Sequence, residues 1–143
     1  MEDKNNITEY LYPSANQFVE YFKNNYPGQT QEKMLLLNYF SPEHALTSEM
    51  MSVAMGWKAG ANIHYGRFAG KIAEEMGFRL PNENFQVSFL ATFEYPEDGQ
   101  EENRCLWTMR PELIEAIHSL NWDTDEAKKI IDRDLSNAEL MLM

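Results

Sequence analysis

The sequence predicts an α+β fold: a helix-rich, winged-helix-like domain in which a helix-turn-helix is followed by a two-stranded β-hairpin and C-terminal helices. Three observations predict it. Apolar residues recur at helical spacing between residues 14 and 76, broken by the glycines at 56 and 60. The period then changes to two in FQVSFLATFEY, residues 85–95. A second β-type run, RCLWTM, ends at a proline that opens further helical pattern.

Residues 1–13 read as a flexible N-terminal arm, and residues 14–143 as a single domain. Ser14 caps a helix to about Asn25, with Phe18, Val19, Phe22 and Tyr26 at helical spacing, and Pro27-Gly28 breaks it. A second helix covers about 30–40 and carries Met34, Leu35, Leu36 and Leu37; Ser41-Pro42 stops it. Thr47 caps a third helix over 48–55, with Glu49 in the first turn, where the helix dipole favours an anion. Gly56 is placed to end that helix in a left-handed conformation. After a short turn over 57–60, a fourth helix runs over 61–76 and Gly77 closes it. The expected strand has Phe85, Val87, Phe89, Ala91, Phe93 and Tyr95 on one face, with Leu90 as the apolar exception on the other. PEDGQEEN is an acidic hairpin loop, and Cys105, Trp107 and Met109 alternate on the return strand. A fifth helix starts at Pro111, and a sixth spans 125–143, where Asp123, Asp125 and Glu126 suit its positive end.

At 143 residues, with 43% hydrophobic and 13% aromatic content, the chain can build one core without disulfides or metals. Its single cysteine, Cys105, allows no internal disulfide, fits a reducing compartment and reads as a small buried side chain. The start has no apolar signal region, and no run approaches the length of a membrane span, so the expectation is a cytoplasmic protein with no membrane partner. The net charge of -11 opposes non-specific nucleic-acid binding. That charge is uneven: 14 acids face 5 bases from Glu83 onward, whereas Lys58, Arg67, Lys71 and Arg79 balance four acids over residues 43–82.

The segment GWKAGANIHYGRFAG, residues 56–70, therefore sits in the least acidic part of the chain. On a helical wheel Tyr65, Phe68, Ala69, Ile72 and Met76 share the core face, and His64, Arg67 and Lys71 form an outward stripe. Gly66 and Gly70, four apart, leave one flank bare at about 1 kcal/mol each relative to alanine, which points to close approach by another element or a ligand. Two readings stand: close packing inside the domain, or a recognition helix whose stripe meets phosphates or base edges of double-stranded DNA. The candidate DNA-binding residues are His64, Arg67, Lys71, Asn62, Lys58 and Arg110. Asn62 is alternatively a helix cap, Arg110 an ion-pair partner for a carboxylate, and Tyr65 a core residue rather than a base-stacking one.

The run over residues 34–77 resembles an accessory domain found beside HNH nuclease domains in bacterial restriction-type endonucleases. The likeness rests on Leu46-Thr47, Gly56-Trp57, and Ala61-Asn62 followed by Tyr65-Gly66. The later WTMRPELIEAI, residues 107–117, is similar to the strand-to-helix segment of that domain, with Met109-Arg110-Pro111-Glu112-Leu113 its most distinctive piece. The resemblance, covering about residues 30–122, implies a winged-helix-like module associated with DNA targeting. The HNH motif itself is absent from the sequence.

No other constellation carries chemistry. His44, His64 and His118 lie in different elements without metal-ligand spacing, so no metal is expected, and no glycine loop matches a nucleotide cofactor fingerprint. The hairpin carboxylates Glu97, Asp98, Glu101 and Glu102 read as solvated. The expectation is a non-enzymatic protein without cofactors. The alternative to DNA association is an acidic protein-interaction module, an inhibitor or adaptor, that does not bind DNA. The last helix has a stripe of Ala127, Ile130, Ile131, Leu135 and Ala138, which docks on its own domain or on a second copy as a homodimer element.

Overall fold

A computed structural model describes residues 12–79, 83–94 and 105–143. Ser14 starts helix α1, Ala15–Asn24, through a reciprocal capping box with Gln17. After Pro27-Gly28 comes α2, Gln29–Phe40, whose Met34, Leu35, Leu36, Leu37 and Asn38 are all buried. A single 3-10 turn, Pro42–His44, leads into β1, Ala45–Thr47. The Thr47 hydroxyl accepts from the Met50 amide and caps α3, Ser48–Ala54. Helix α4 spans Ala61–Met76. A 3-10 segment, Glu83–Phe89, precedes β2, Ala91–Glu94; β3 is Leu106–Met109. Pro111 occupies the first position of α5, Pro111–Ser119, and the Thr124 hydroxyl caps α6, Asp125–Met141.

The architecture is α+β and helix-rich, with one small antiparallel sheet among the described residues, in the order β1-β3-β2. Leu46 lies opposite Trp107 in one pairing, and Phe93 opposite Trp107 in the other. The expected two-stranded hairpin is thus a three-stranded sheet. β1 has only three residues, too few to show a two-residue period, and its threonine reads first as a helix cap.

The long strand expected from residue 85 is a 3-10 segment followed by a short strand. Among its described residues only 91–94 are extended, and Glu83–Phe89 is 3-10 helix. The Leu90 amide donates to the Val87 carbonyl at 2.8 Å, and both side chains are buried. Three residues per turn brings Val87 and Leu90 to one face, so the apolar exception in the alternation belongs to the core. This segment packs along α4. Tyr95, Arg104 and the acidic hairpin loop lie outside the described residues, as do residues 1–11 of the expected arm. The arm expected over 1–13 does not extend to its last two residues: Pro13 is buried and Tyr12 packs against the core.

The core runs from Phe18 and Phe22 through Leu35, Leu37, Tyr65, Phe89 and Met109 to Leu113 and Ile117. Helix α1 packs on α5, and α6 lies across α2 and α3. The last helix packs part of its stripe on its own chain: Ile131 and Ala138 are buried and Ala127 and Leu135 half-buried, while Ile130 stays exposed. Asn38 is the polar hub. Its Nδ2 donates to the carbonyls of His44 (3.0 Å) and Trp107 (3.2 Å), and its Oδ1 accepts from the Tyr65 hydroxyl (3.0 Å). These bonds join α2, β3 and α4, and they brace Glu43 and His44, both held at φ near +60° without being glycine.

Asp123 does not act as the cap of the last helix. Its Oδ2 accepts from the Tyr39 hydroxyl at 2.6 Å and is 2.8 Å from His118 Nδ1. Partial burial works to raise its pKa, but the Tyr39 and His118 contacts outweigh it and hold the carboxyl below its ordinary value. The Lys33 ammonium ties α2 to α6, 2.7 Å from Asp134.

Candidate nucleic-acid interface

Helices α3 and α4 are joined by six residues, and three hydrogen bonds fix the joint. The Gly56 amide donates to Val53 O at 2.9 Å, and the Trp57 amide reaches back to Ser52 O at 2.8 Å. The buried Ser52 hydroxyl then accepts from the Ala61 amide at 2.9 Å. An otherwise unpaired donor at the start of α4 is thereby satisfied by the preceding helix. Asn62 is consequently not the cap expected from sequence: Gly60, left-handed at φ +99°, holds that position without a side-chain bond.

Helix α4 presents the faces its periodicity predicts. Tyr65, Phe68, Ala69 and Ile72 are buried. Tyr65 lies 5.4 Å from the Trp107 ring, and burial raises its pKa. His64, Arg67 and Lys71 are exposed. The flank carrying Gly66 and Gly70 receives the 3-10 segment. A Cβ at Gly70 would sit 2.7 Å from Gln86 Nε2, and one at Gly66 would sit 3.8 Å from Val87 Cγ2. The close approach that the two glycines imply is therefore internal packing.

The stripe opens on a groove of about 430 Å³. Its second wall comes from the end of α1, the α1–α2 turn and the first turn of α2, with Tyr21, Asn25, Tyr26, Pro27 and Gln31. Among the described residues Arg67 and Lys71 form no ion pair. The His64 ring packs against Trp57 with centroids 4.5 Å apart. Glu75, also at the groove, accepts from the Tyr21 hydroxyl. Burial, reinforced by that bond, pushes the Tyr21 phenol up; the hydrogen bond to Glu32 lifts Tyr26 to about 12. A phenol is neutral near pH 7 even at its ordinary value, so the acidic side chain at this groove is Glu75, not either tyrosine.

Of the six sequence candidates, the fold brings His64, Arg67 and Lys71 to one groove. Lys58 is exposed in the turn before α4, and Asn62 is half-buried in its first turn. Arg110 is engaged internally: its Nε donates to Ser88 O at 2.6 Å, and its guanidinium lies 3.6 Å over the Tyr12 ring. Burial lowers its pKa. Among the described residues its partners are a carbonyl and an aromatic face, not the expected carboxylate. Sequence reasoning missed Tyr21, Asn25, Tyr26 and Gln31 as groove residues. The one local signal was the Tyr-Pro-Gly break, which turns Tyr26 out beyond the end of α1, where it is 57% exposed.

A second groove, of about 580 Å³, lies between α6 and the β1 edge. Phe40, Leu46, Met50, Leu106 and Leu135 line it, with Asp132 and Glu139 on its α6 side. Among the described residues no group of three or more His, Cys, Asp or Glu side chains is placed to hold a metal, and no helix is long and apolar enough to cross a membrane. The chain matches no family model, no curated protein and no solved structure.

Proposed function

We propose that this protein is a non-enzymatic, DNA-associated module of winged-helix type, in which α4 is the recognition helix. The observation that carries the reading is the exposed stripe of His64, Arg67 and Lys71, whose two cations make no ion pair among the described residues, on the second helix of a tightly tied helix pair. The sheet order supports it: a short strand before the pair and a hairpin after it share one sheet, β1-β3-β2. The resemblance of residues 34–77 and 107–117 to the accessory domain beside HNH nucleases points the same way, towards a restriction or defence role. Arg67 and Lys71 contact phosphates, Lys58 adds a third cation at the start of α4, and His64 and Asn62 face base edges. Arg110 holds the 3-10 segment to β3 and stays out of the contact set.

The test is fluorescence anisotropy with short duplexes, modified and unmodified, beginning near 50 mM salt, where few phosphate contacts still give measurable affinity. Binding that weakens with salt and falls on Arg67→Ala and Lys71→Ala supports the reading. The absence of any salt-sensitive binding overturns it. The apolar groove beside α6, with its two carboxylates, favours a second reading: an acidic protein-interaction module. That reading predicts no duplex binding, and a partner whose binding is lost on Leu135→Glu.

A further inference from the structure

The groove beside α4 has more than a cationic rim. Tyr26 is set edge-on against Trp122, with ring centroids 6.2 Å apart and planes at 83°, and its hydroxyl donates to Glu32. The ring is therefore fixed and still 57% exposed. Phe68 and Ile72 give the groove an apolar side. The Gln31 amide, free of hydrogen bonds among the described residues, supplies a donor and an acceptor. Arg67 and Lys71, four apart on the same helix face, stand on the opposite wall. At about 430 Å³ the groove is the size of a small-molecule site, and far too small for a duplex.

An aromatic face, one free amide and two cations without an ion pair among the described residues match the parts of one nucleotide: a flat base, its polar edge and its phosphate; Glu75, at the same groove, is engaged by the Tyr21 hydroxyl. We propose that this groove is a single-nucleotide site, which takes an unpaired nucleotide with its base against Tyr26 and its phosphate at Arg67 and Lys71. The inference rests on the reading of α4 as a DNA-contacting helix. A free nucleoside monophosphate and an unpaired nucleotide within DNA share the recognised chemistry.

Anisotropy at matched salt compares a fully paired duplex with the same duplex carrying one extra unpaired nucleotide; nucleoside 5′-monophosphates serve as competitors. The unpaired nucleotide should strengthen binding about 10-fold, the scale of one stacked base. Tyr26→Ala should abolish that preference, and Tyr26→Phe, which keeps the ring, should retain it. Competition by monophosphates that is lost in Tyr26→Ala supports the site with the free nucleotide as a ligand. Salt-sensitive duplex binding with no preference for the unpaired nucleotide overturns this inference and leaves the DNA reading standing. A preference that survives Tyr26→Ala also overturns it. No binding of any nucleic acid or nucleotide overturns both.

Discussion

Gly66 and Gly70 look equivalent on the wheel, yet the structure predicts that alanine at the two positions behaves differently. Each substitution gains about 1 kcal/mol of helix propensity in an α4 interior. At Gly66 the new methyl meets Val87 Cγ2 at 3.8 Å and Gln86 Oε1 at 4.0 Å, ordinary contact distances. Gly66→Ala should therefore stabilise by roughly 0.5–1 kcal/mol, raising Tm by about 3 °C for a domain near this size. At Gly70 the methyl would lie 2.7 Å from Gln86 Nε2 and 2.9 Å from Gln86 Cδ, so the amide must swing away. Moving a side chain off its preferred rotamer costs about 0.5–1.5 kcal/mol, which cancels the gain. Gly70→Ala should be close to neutral in the wild-type chain and stabilising by about 1 kcal/mol in a Gln86→Ala background. Urea unfolding of the four-variant cycle reads this directly. Equal effects of Gly70→Ala in both backgrounds would refute the packing of the 3-10 segment on α4, and with it the assignment of the bare flank to the protein interior.

Three further outcomes follow from the same contacts. Asn38→Ala leaves two carbonyls and the Tyr65 hydroxyl without their partner, and should cost about 3 kcal/mol in chemical denaturation. Arg110→Ala loses a charged hydrogen bond and a cation–π contact and should destabilise by about 2 kcal/mol, with duplex affinity unchanged once the protein is folded. The Asp123 carboxyl is held below its ordinary value, so its contribution is present above about pH 4 and is lost as pH falls through its lowered folded pKa. Acid unfolding followed by circular dichroism should accordingly be flatter for Asp123→Asn than for wild type below about pH 4.

The helices were legible because each carries its own boundary chemistry. Ser14, Thr47 and Pro111 start helices where their types predict, and Gly56 and Gly77 take the left-handed conformations that end them. The inward and outward faces of α4 followed from spacing alone. The sheet was less legible. Val87 and Phe89 fit a two-residue period, but with Leu90 they also serve a 3-10 turn, and packing on α4 decides between the two. β1 hides inside Ala-Leu-Thr because its identity comes from pairing with β3. Half of the candidate site was readable: the cationic stripe is local to one helix. The facing wall is not, since Tyr26 and Gln31 reach Arg67 and Lys71 only through the packing of α1 and α2 beside α4. Arg110 shows the converse. An arginine beside a helix start reads as available for phosphate, until a carbonyl twenty-two residues away claims it.

Arg67 and Lys71 are proposed to carry the contact between α4 and DNA. The salt dependence of duplex affinity measures it most directly, because each phosphate neutralised adds about -0.9 to the slope of log K against log salt. With Lys58 included, the wild-type slope should be about -2 to -3, and the Arg67→Ala/Lys71→Ala variant should lie nearly two units closer to zero. A wild-type slope that the double variant leaves unchanged would rule out Arg67 and Lys71 as the phosphate contacts.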